Sequence, residues 1–344
     1  MIPYTKLKEH NRHNLANAIP LEKPFTLIIE PSSKCNFRCL HCFQSIKDKN
    51  YFTDNRMNMS MELFSRVIDE MKKWDGAKLK VLKLSLYGEP LLNPLFCEML
   101  KMAKEAEIAE RIETTTNASL LTEEICEKII CYGLDYMRVS IYSPIQDKHV
   151  RITGSKMNIG TIHDNLSKLQ SKKKLYTKKT PFVSVKMLDT YSAENAIFQH
   201  MYQDVADEIY FDEPHNWIPY KEKDFIKDLY GHENRNSIRN NMGCSSTKRI
   251  ACTLPFFTLA VRSNGDVSPC CNDWIGGTNI GNINKENLRE IWNGEAVYEF
   301  QKMQLENRKK ENSSCRKCRI YLSDHYIKDN IDGFPVAKLR GKNK

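Results

Sequence analysis

Before Pro214, short apolar runs of strand length alternate with longer segments whose apolar residues recur every three or four positions. Residues 25–29, 81–86, 111–116, 136–141, 182–187 and 208–211 have the length and composition of strands. After the first run, Phe64, Val67, Ile68 and Met71 stripe one face of a predicted helix. Ser60 is placed to cap it, because a serine oxygen can accept from an orphan N–H of the first turn. Leu95, Met99 and Met102 mark a second helix, Thr122 opens a third that Gly133 ends, and Ile162, Leu166 and Leu169 stripe a fourth. This order predicts an α/β fold, a parallel sheet whose strands are joined by crossover helices. Methionines in the stripes, and Cys97, Cys126 and Cys131 within the helical patterns, read as buried packing residues.

The alternation stops near Pro214, and the chain to Met242 reads as an irregular bridge. Beyond it, residues 258–262 have strand character and Ser263-Asn264-Gly265-Asp266 carries the Asn-Gly hairpin signal. Residues 267–270 form the return strand, and a helix-like segment over 287–292 ends at Asn293-Gly294.

Cysteine placement sharpens this outline. Cys35, Cys39 and Cys42 fall within eight residues directly after the first predicted strand. Three thiolates so spaced can ligate three irons of a four-iron cubane and leave the fourth open to a reactant, whereas structural metal sites are normally closed by four protein ligands. A zinc knuckle completed by His41 or a distant residue is the alternative, although adjacent His41 and Cys42 are poorly placed to point at one ion. Three buried free thiols are the remaining reading. Gly88-Glu89-Pro90, Asn117 and Ser140 each follow the carboxyl end of a later predicted strand, the face on which parallel α/β folds place their sites. Taken singly, Asn117 and Ser140 serve equally well as turn residues that satisfy backbone groups.

Cys244, Cys252, Cys270, Cys271, Cys315 and Cys318 form a second constellation, holding half of the chain's twelve cysteines. The hairpin can bring Cys252 and Cys270 to the two-residue chelating turn Cys315-Arg316-Lys317-Cys318 as four ligands. A zinc ribbon and a four-iron cluster both satisfy four thiolates at this spacing.

With 344 residues, 41% hydrophobic and 28% charged, the chain can build one large or two modest domains. No run approaches the roughly twenty apolar residues that span a bilayer, and the first residues lack an apolar stretch of signal-peptide length. The expectation is a cytoplasmic protein with no membrane contact, in which clustered thiols bind metal rather than pair as disulfides. Lys and Arg exceed Asp and Glu by 52 to 43, a formal charge of +9 that suits an anionic, sugar-like small molecule. The basic run over 171–179 lacks interleaved aromatics for stacking on bases and reads as a solvated loop after the fourth helix, so nucleic acid is not the expected partner.

The triplet, joined to Gly88-Glu89-Pro90, resembles the signature of the radical S-adenosylmethionine (SAM) superfamily. The resemblance implies a partial (β/α)6 TIM-like barrel and a SAM-binding 4Fe-4S cluster on Cys35, Cys39 and Cys42. It puts His41 in the aromatic position against the adenine and Gly88, Glu89 and Pro90 at the SAM amino group. Asn117 and Ser140 fall where the ribose or methionine carboxylate is reached. Tyr87 replaces the motif's usual first glycine. The interval from Gly265 to Cys270, the following helix and the pair Cys315–Cys318 resemble the twitch or shortened SPASM type of auxiliary domain. That implies a second 4Fe-4S cluster on Cys252, Cys270, Cys315 and Cys318, with Cys244 and Cys271 spare.

The expected organisation is a leader over 1–24, the barrel over 25–215, a bridge over 216–243, a small cysteine-rich domain of β-hairpin plus helix over 244–325, and a basic tail over 326–344. The implied activity is reductive cleavage of SAM to a 5′-deoxyadenosyl radical that abstracts hydrogen from a substrate. With the auxiliary cluster as electron acceptor, the expected outcome is oxidation of a small sugar or aminocyclitol. Tyr142, Lys186, Asp212 and Glu213 are the expected proton donors and acceptors, with Arg151 another polar candidate for the site. A maturase acting on a ribosomally made peptide is the second reading; the short leader leaves too little chain for a fused peptide-recognition domain and tilts the expectation toward a carbohydrate-like substrate. A cysteine-rich zinc protein binding a partner is the non-enzyme reading. The one-electron donor is expected to be external, such as a flavodoxin or ferredoxin.

Overall fold

The computed structural model describes residues 13–47, 56–212, 214, 249–273, 275–316, 318 and 329–340. Its strands are β1 (Thr26–Ile29), β2 (Val81–Leu84), β3 (Ile112–Thr116), β4 (Tyr136–Ser140), β5 (Phe182–Leu188), β6 (Glu208–Asp212), β7 (Thr258–Val261), β8 (Asp266–Ser268) and β9 (Gly281–Asn282). All nine lie in one sheet, ordered β6-β5-β4-β3-β2-β1-β7-β8-β9. Pairing from β6 through β7 is parallel, and the β7–β8 and β8–β9 pairings are antiparallel.

Between these strands run α1 (Met61–Lys73), α2 (Phe96–Glu105), α3 (Glu123–Cys131), α4 (Gln146–Thr153), α5 (Ile159–Leu175) and α6 (Glu194–Tyr202). Each forms for a local reason. In α1, Ser60 Oγ accepts from Leu63 N at 3.1 Å, a cap contributing about 1 kcal/mol. Its buried stripe of Phe64, Val67, Ile68 and Met71 adds about 1.5–3 kcal/mol per side chain. Thr122 caps α3 in the same way, and Gly133, at φ +77°, carries the chain out of it. The stripes meet Leu27 and Ile29 of β1, Leu82 and Leu84 of β2 and Val139 of β4 in one core.

The hairpin of the cysteine-rich segment joins this sheet directly. β7 pairs in parallel with β1, from Thr26 opposite Thr258 to Ile29 opposite Val261, and all four β7 residues are buried. Without it the N–H and C=O groups on that side of β1 would face solvent as an open edge. Gly265, at φ +90°, makes the β7–β8 turn. Beyond β9, α7 (Leu288–Asn293) and α8 (Glu295–Leu305) follow, with Leu288, Ile291 and Trp292 in the main core.

Two expectations change. The basic run over 171–179 does not begin as a loop: its first residues are the last turn of α5, where lysines favourably oppose the helix dipole. Lys173 within it is buried, with Nζ 2.6 Å from Asp207 Oδ2. Cys97 and Cys126 are buried as expected, but Cys131 is exposed at the end of α3. The bridge over 216–243, Glu213 and Cys244 lie outside the described residues. No helix among the described residues is long and apolar enough to cross a membrane.

Candidate active site and metal centres

The cysteine triplet leaves the carboxyl end of β1 and is held by backbone contacts on two sides. Arg38 N donates to Thr153 O at 2.7 Å and Leu40 N to Ile152 O at 2.8 Å, which fixes the loop against the end of α4. On the other side Glu89 N donates to Lys34 O at 2.7 Å. The approach is close enough that a Cβ on Gly88 would stand 2.2 Å from Ser32 O and 2.3 Å from Lys34 O, so only glycine fits.

The thiols of the triplet have the character of ligands rather than nucleophiles. Burial pushes Cys35 up, Cys39 well up and Cys42 up to about 12, and charge on a neighbouring thiol adds to the rise at Cys39 and Cys42. A reactive cysteine needs its thiolate favoured. Here the thiolate becomes favourable only against bound positive charge, which is how a metal cluster deprotonates its ligands.

Around the triplet stand the residues expected at a SAM site. The His41 and Tyr142 rings lie 4.3 Å apart, and the Tyr142 side chain hydrogen-bonds Ser140 at the end of β4. Asn117, at the end of β3, donates from Nδ2 to Asn36 Oδ1 at 2.9 Å, and Asn36 Nδ2 donates to Ser119 Oγ at 2.8 Å, which ties the cysteine loop to β3. Glu89 is 3% exposed, and its carboxylate is committed inside the fold. It accepts from Thr116 Oγ1 at 2.6 Å, Leu91 N at 3.2 Å and Asn117 N at 2.8 Å, while burial lifts its pKa to about 7. The side chain therefore joins the ends of β2 and β3 and sets the backbone of Gly88-Glu89-Pro90.

Lys186 stands opposite Ser140 in the β4/β5 register, and its ammonium pairs with the Asp212 carboxylate across β5 and β6. Arg151 is exposed on α4, next in sequence to the Ile152 and Thr153 carbonyls that anchor the cysteine loop.

Glu30 went unnoticed in the sequence. It directly follows β1, is 1% exposed, and accepts from Tyr87 N at 3.2 Å on one oxygen and from Ser263 N and Oγ at 3.1 and 2.8 Å on the other. Burial raises its pKa despite these bonds. An acid closing the apolar run Thr26-Leu27-Ile28-Ile29 was the available signal.

The second constellation converges too. Cys252, Cys270, Cys315 and Cys318 line one cavity together with Leu254, Asn272, Thr278, Phe300, Gln304 and Lys309. Burial pushes Cys252 and Cys270 far up and Cys315 up to about 11. Asn272 N donates to Cys270 Sγ at 3.2 Å, Asn272 Nδ2 lies 3.5 Å from Cys318 Sγ, and Gln304 Nε2 lies 3.7 Å from Cys315 Sγ. Four half-buried thiols converging on one cavity and supplied with N–H donors fit an iron–sulfur cluster. Among the described residues no three His, Cys, Asp or Glu side chains are arranged to hold a single metal ion. Cys271 is half-buried beside this group and does not line the cavity.

Two family models match the chain: the radical SAM superfamily over residues 29–177 and SPASM, an iron–sulfur cluster-binding domain, over residues 252–319. The chain belongs to the radical SAM superfamily and carries a C-terminal SPASM domain; SAM and iron–sulfur clusters, one of them SAM-binding, are the cofactors of such an enzyme. Among curated relatives, it is 23% identical over 301 residues to the tungsten-containing aldehyde ferredoxin oxidoreductase cofactor-modifying protein of Pyrococcus furiosus, covering 78% of this chain and 81% of that one. It is 20% identical over 299 residues to the S-adenosyl-L-methionine-dependent 2-deoxy-scyllo-inosamine dehydrogenase of Niallia circulans, covering 87% and 94%. Among solved structures, BtrN in complex with AdoMet and 2-DOIA matches with a TM-score of 0.54 at 18% identity, over 86% of this chain and 92% of that one. AnSMEcpe with bound AdoMet and the Cp18Cys peptide matches with a TM-score of 0.56 at 15% identity, over 88% and 91%. These structural likenesses establish a shared fold, the partial barrel with its appended domain.

Proposed function

We propose that this radical SAM enzyme oxidises a hydroxyl-bearing carbon of a small sugar or aminocyclitol to a carbonyl. The observation that carries the reading is the likeness to the 2-deoxy-scyllo-inosamine dehydrogenase, which spans 87% of this chain and 94% of that protein. Cys35, Cys39 and Cys42 would hold the SAM-binding 4Fe-4S cluster, and Cys252, Cys270, Cys315 and Cys318 the auxiliary one. When bound, the first supplies a 5′-deoxyadenosyl radical by one-electron cleavage of SAM, and the second supplies an electron acceptor.

The chain's own residues hold, orient and move protons. His41, Gly88, Glu89, Pro90, Asn117 and Ser140 line the place for SAM. Loss of a hydrogen atom, an electron and the hydroxyl proton turns CH–OH into C=O. The Asp212 carboxylate is the candidate to take the proton, held and oriented by the Lys186 ammonium it pairs with, while Tyr142 stands beside Ser140 and Arg151 is a further polar candidate. The enzyme would work in the cytoplasm with an external one-electron donor such as a flavodoxin or ferredoxin.

The test is anaerobic reconstitution, a count of iron and sulfide, and incubation with SAM, dithionite and a panel of aminocyclitols, sugars and cysteine- or serine-bearing peptides. Formation of 5′-deoxyadenosine with a ketone from a polyol supports the reading. Turnover confined to peptides would replace it with maturation of a ribosomally made peptide.

A further inference from the structure

Lys309 is a cation that no step above employs, and it is 7% exposed. It lines the cavity of Cys252, Cys270, Cys315 and Cys318, and its ammonium donates to Ile250 O. Ile250 N and Ala251 N in turn donate to the Asp332 carboxylate at 3.0 and 2.8 Å, so a short chain of bonds fixes the strip of backbone that accepts from the lysine. Gln304, fully buried, aims its amide at Cys315 Sγ in the same cavity. The basic residue that follows Cys35-Asn36-Phe37 in the first loop, Arg38, is by contrast exposed, where water screens its charge.

A cation fixed in a low-dielectric wall stabilises the more negative state of whatever the cavity holds, and N–H donors to the sulfurs act in the same direction. We propose that Lys309, assisted by Gln304, is a positioning residue that raises the reduction potential of the auxiliary cluster and so makes this site the electron acceptor. The inference rests on the assignment of the four cysteines as ligands of that cluster. In the oxidation proposed above, the substrate radical left after hydrogen-atom abstraction loses one electron and its hydroxyl proton to become the carbonyl. The auxiliary site gains that electron, and an external one-electron carrier of the flavodoxin or ferredoxin class later removes it. Lys309 lowers the cost of the interval in which the site carries the added negative charge.

The test uses the full-length protein with Cys35, Cys39 and Cys42 replaced by alanine, reconstituted so that the auxiliary cluster alone is present, and a reductive titration followed by electron paramagnetic resonance. Lys309→Met should shift the midpoint in the negative direction by at least a tenfold change in the reduction equilibrium, 59 mV for a one-electron couple. Gln304→Leu should shift it the same way by less, and Lys309→Arg should return it close to the parent value. A Lys309→Met protein that binds its full complement of iron and titrates at the parent potential overturns the inference and leaves the ligand assignment standing. Absence of any cluster in the parent, with its C-terminal cysteines intact, overturns the ligand assignment itself. Equal shifts in Lys309→Met and Lys309→Arg would assign the lysine to packing and also overturn the inference.

Discussion

The Arg262 guanidinium carbon lies 5.3 Å from the centre of the Tyr87 ring, and the Phe43 ring meets the same tyrosine edge-on at 5.2 Å. Phe43 directly follows Cys42, while Arg262 donates to the Asp273 carbonyl and carboxylate just past Cys271. One side chain therefore touches both metal-binding loops, at the position where the family motif usually has glycine. Tyr87→Gly should lower stability by about 3 kcal/mol, from lost packing and lost cation–π attraction, without changing iron content. Thermal melting beside an iron assay checks this; an unchanged melting temperature would mean that the ring does not fasten the two loops.

Gly88→Ala should act locally and more severely. Its Cβ would collide with two backbone carbonyls rather than with a flexible side chain, so the cysteine loop must move. Iron should fall by about half, with the auxiliary cluster retained and 5′-deoxyadenosine formation lost. Full iron content with normal SAM cleavage would show that the loop tolerates the shift.

Glu89 makes the apoprotein sensitive to pH. Burial raises its pKa from 4.5 to about 7, so the folded chain keeps this proton to higher pH than the unfolded chain does. The contribution is complete below the unfolded value and is lost as pH rises through about 7. Melting of the apoprotein across this window should show a decline that Glu89→Gln flattens. A decline of equal slope in the variant would assign it to other groups.

His149 has the opposite sign. Both ring nitrogens are buried with no hydrogen-bond partner among the described residues, the ring packs edge-on against Phe37 at 5.8 Å, and burial lowers its pKa from 6.5. Its neutral form is favoured in the fold, so stability is present above the ordinary histidine value and is lost as pH falls below it. His149→Phe keeps the ring contact and removes two unsatisfied nitrogens, which should stabilise the protein by about 1 kcal/mol, and by more in acid. A variant less stable at every pH would show that the imidazole serves a partner in the loaded enzyme.

The elements readable in the sequence were those fixed by neighbours in the chain. The six barrel strands, the caps at Ser60 and Thr122, the hairpin turn at Gly265 and the two cysteine groups all depend on local spacing. Helix α4 was missed because Gln146-Asp147-Lys148-His149 opens it with polar residues and weakens the apolar stripe. The pairing of β7 with β1 joins segments more distant in sequence than any local pattern spans, and the role of Glu30 as acceptor from Tyr87 and Ser263 depends on that pairing. Lys309 sits in Asn307-Arg308-Lys309-Lys310-Glu311, which reads as a solvated charge run; only the folded chain distinguishes the one lysine turned inward.

The parallel register between β1 and β7 also bears on how this enzyme can be divided. The second domain closes the flank of the strand that leads into Cys35, Cys39 and Cys42, so cutting the chain before Thr258 would uncover a row of backbone donors and acceptors beside Leu27 and Ile29. Such a naked margin is a template for self-association. The appended domain is thus a guard for the barrel as well as a holder of metal, and a truncated barrel should precipitate rather than persist as a simpler enzyme.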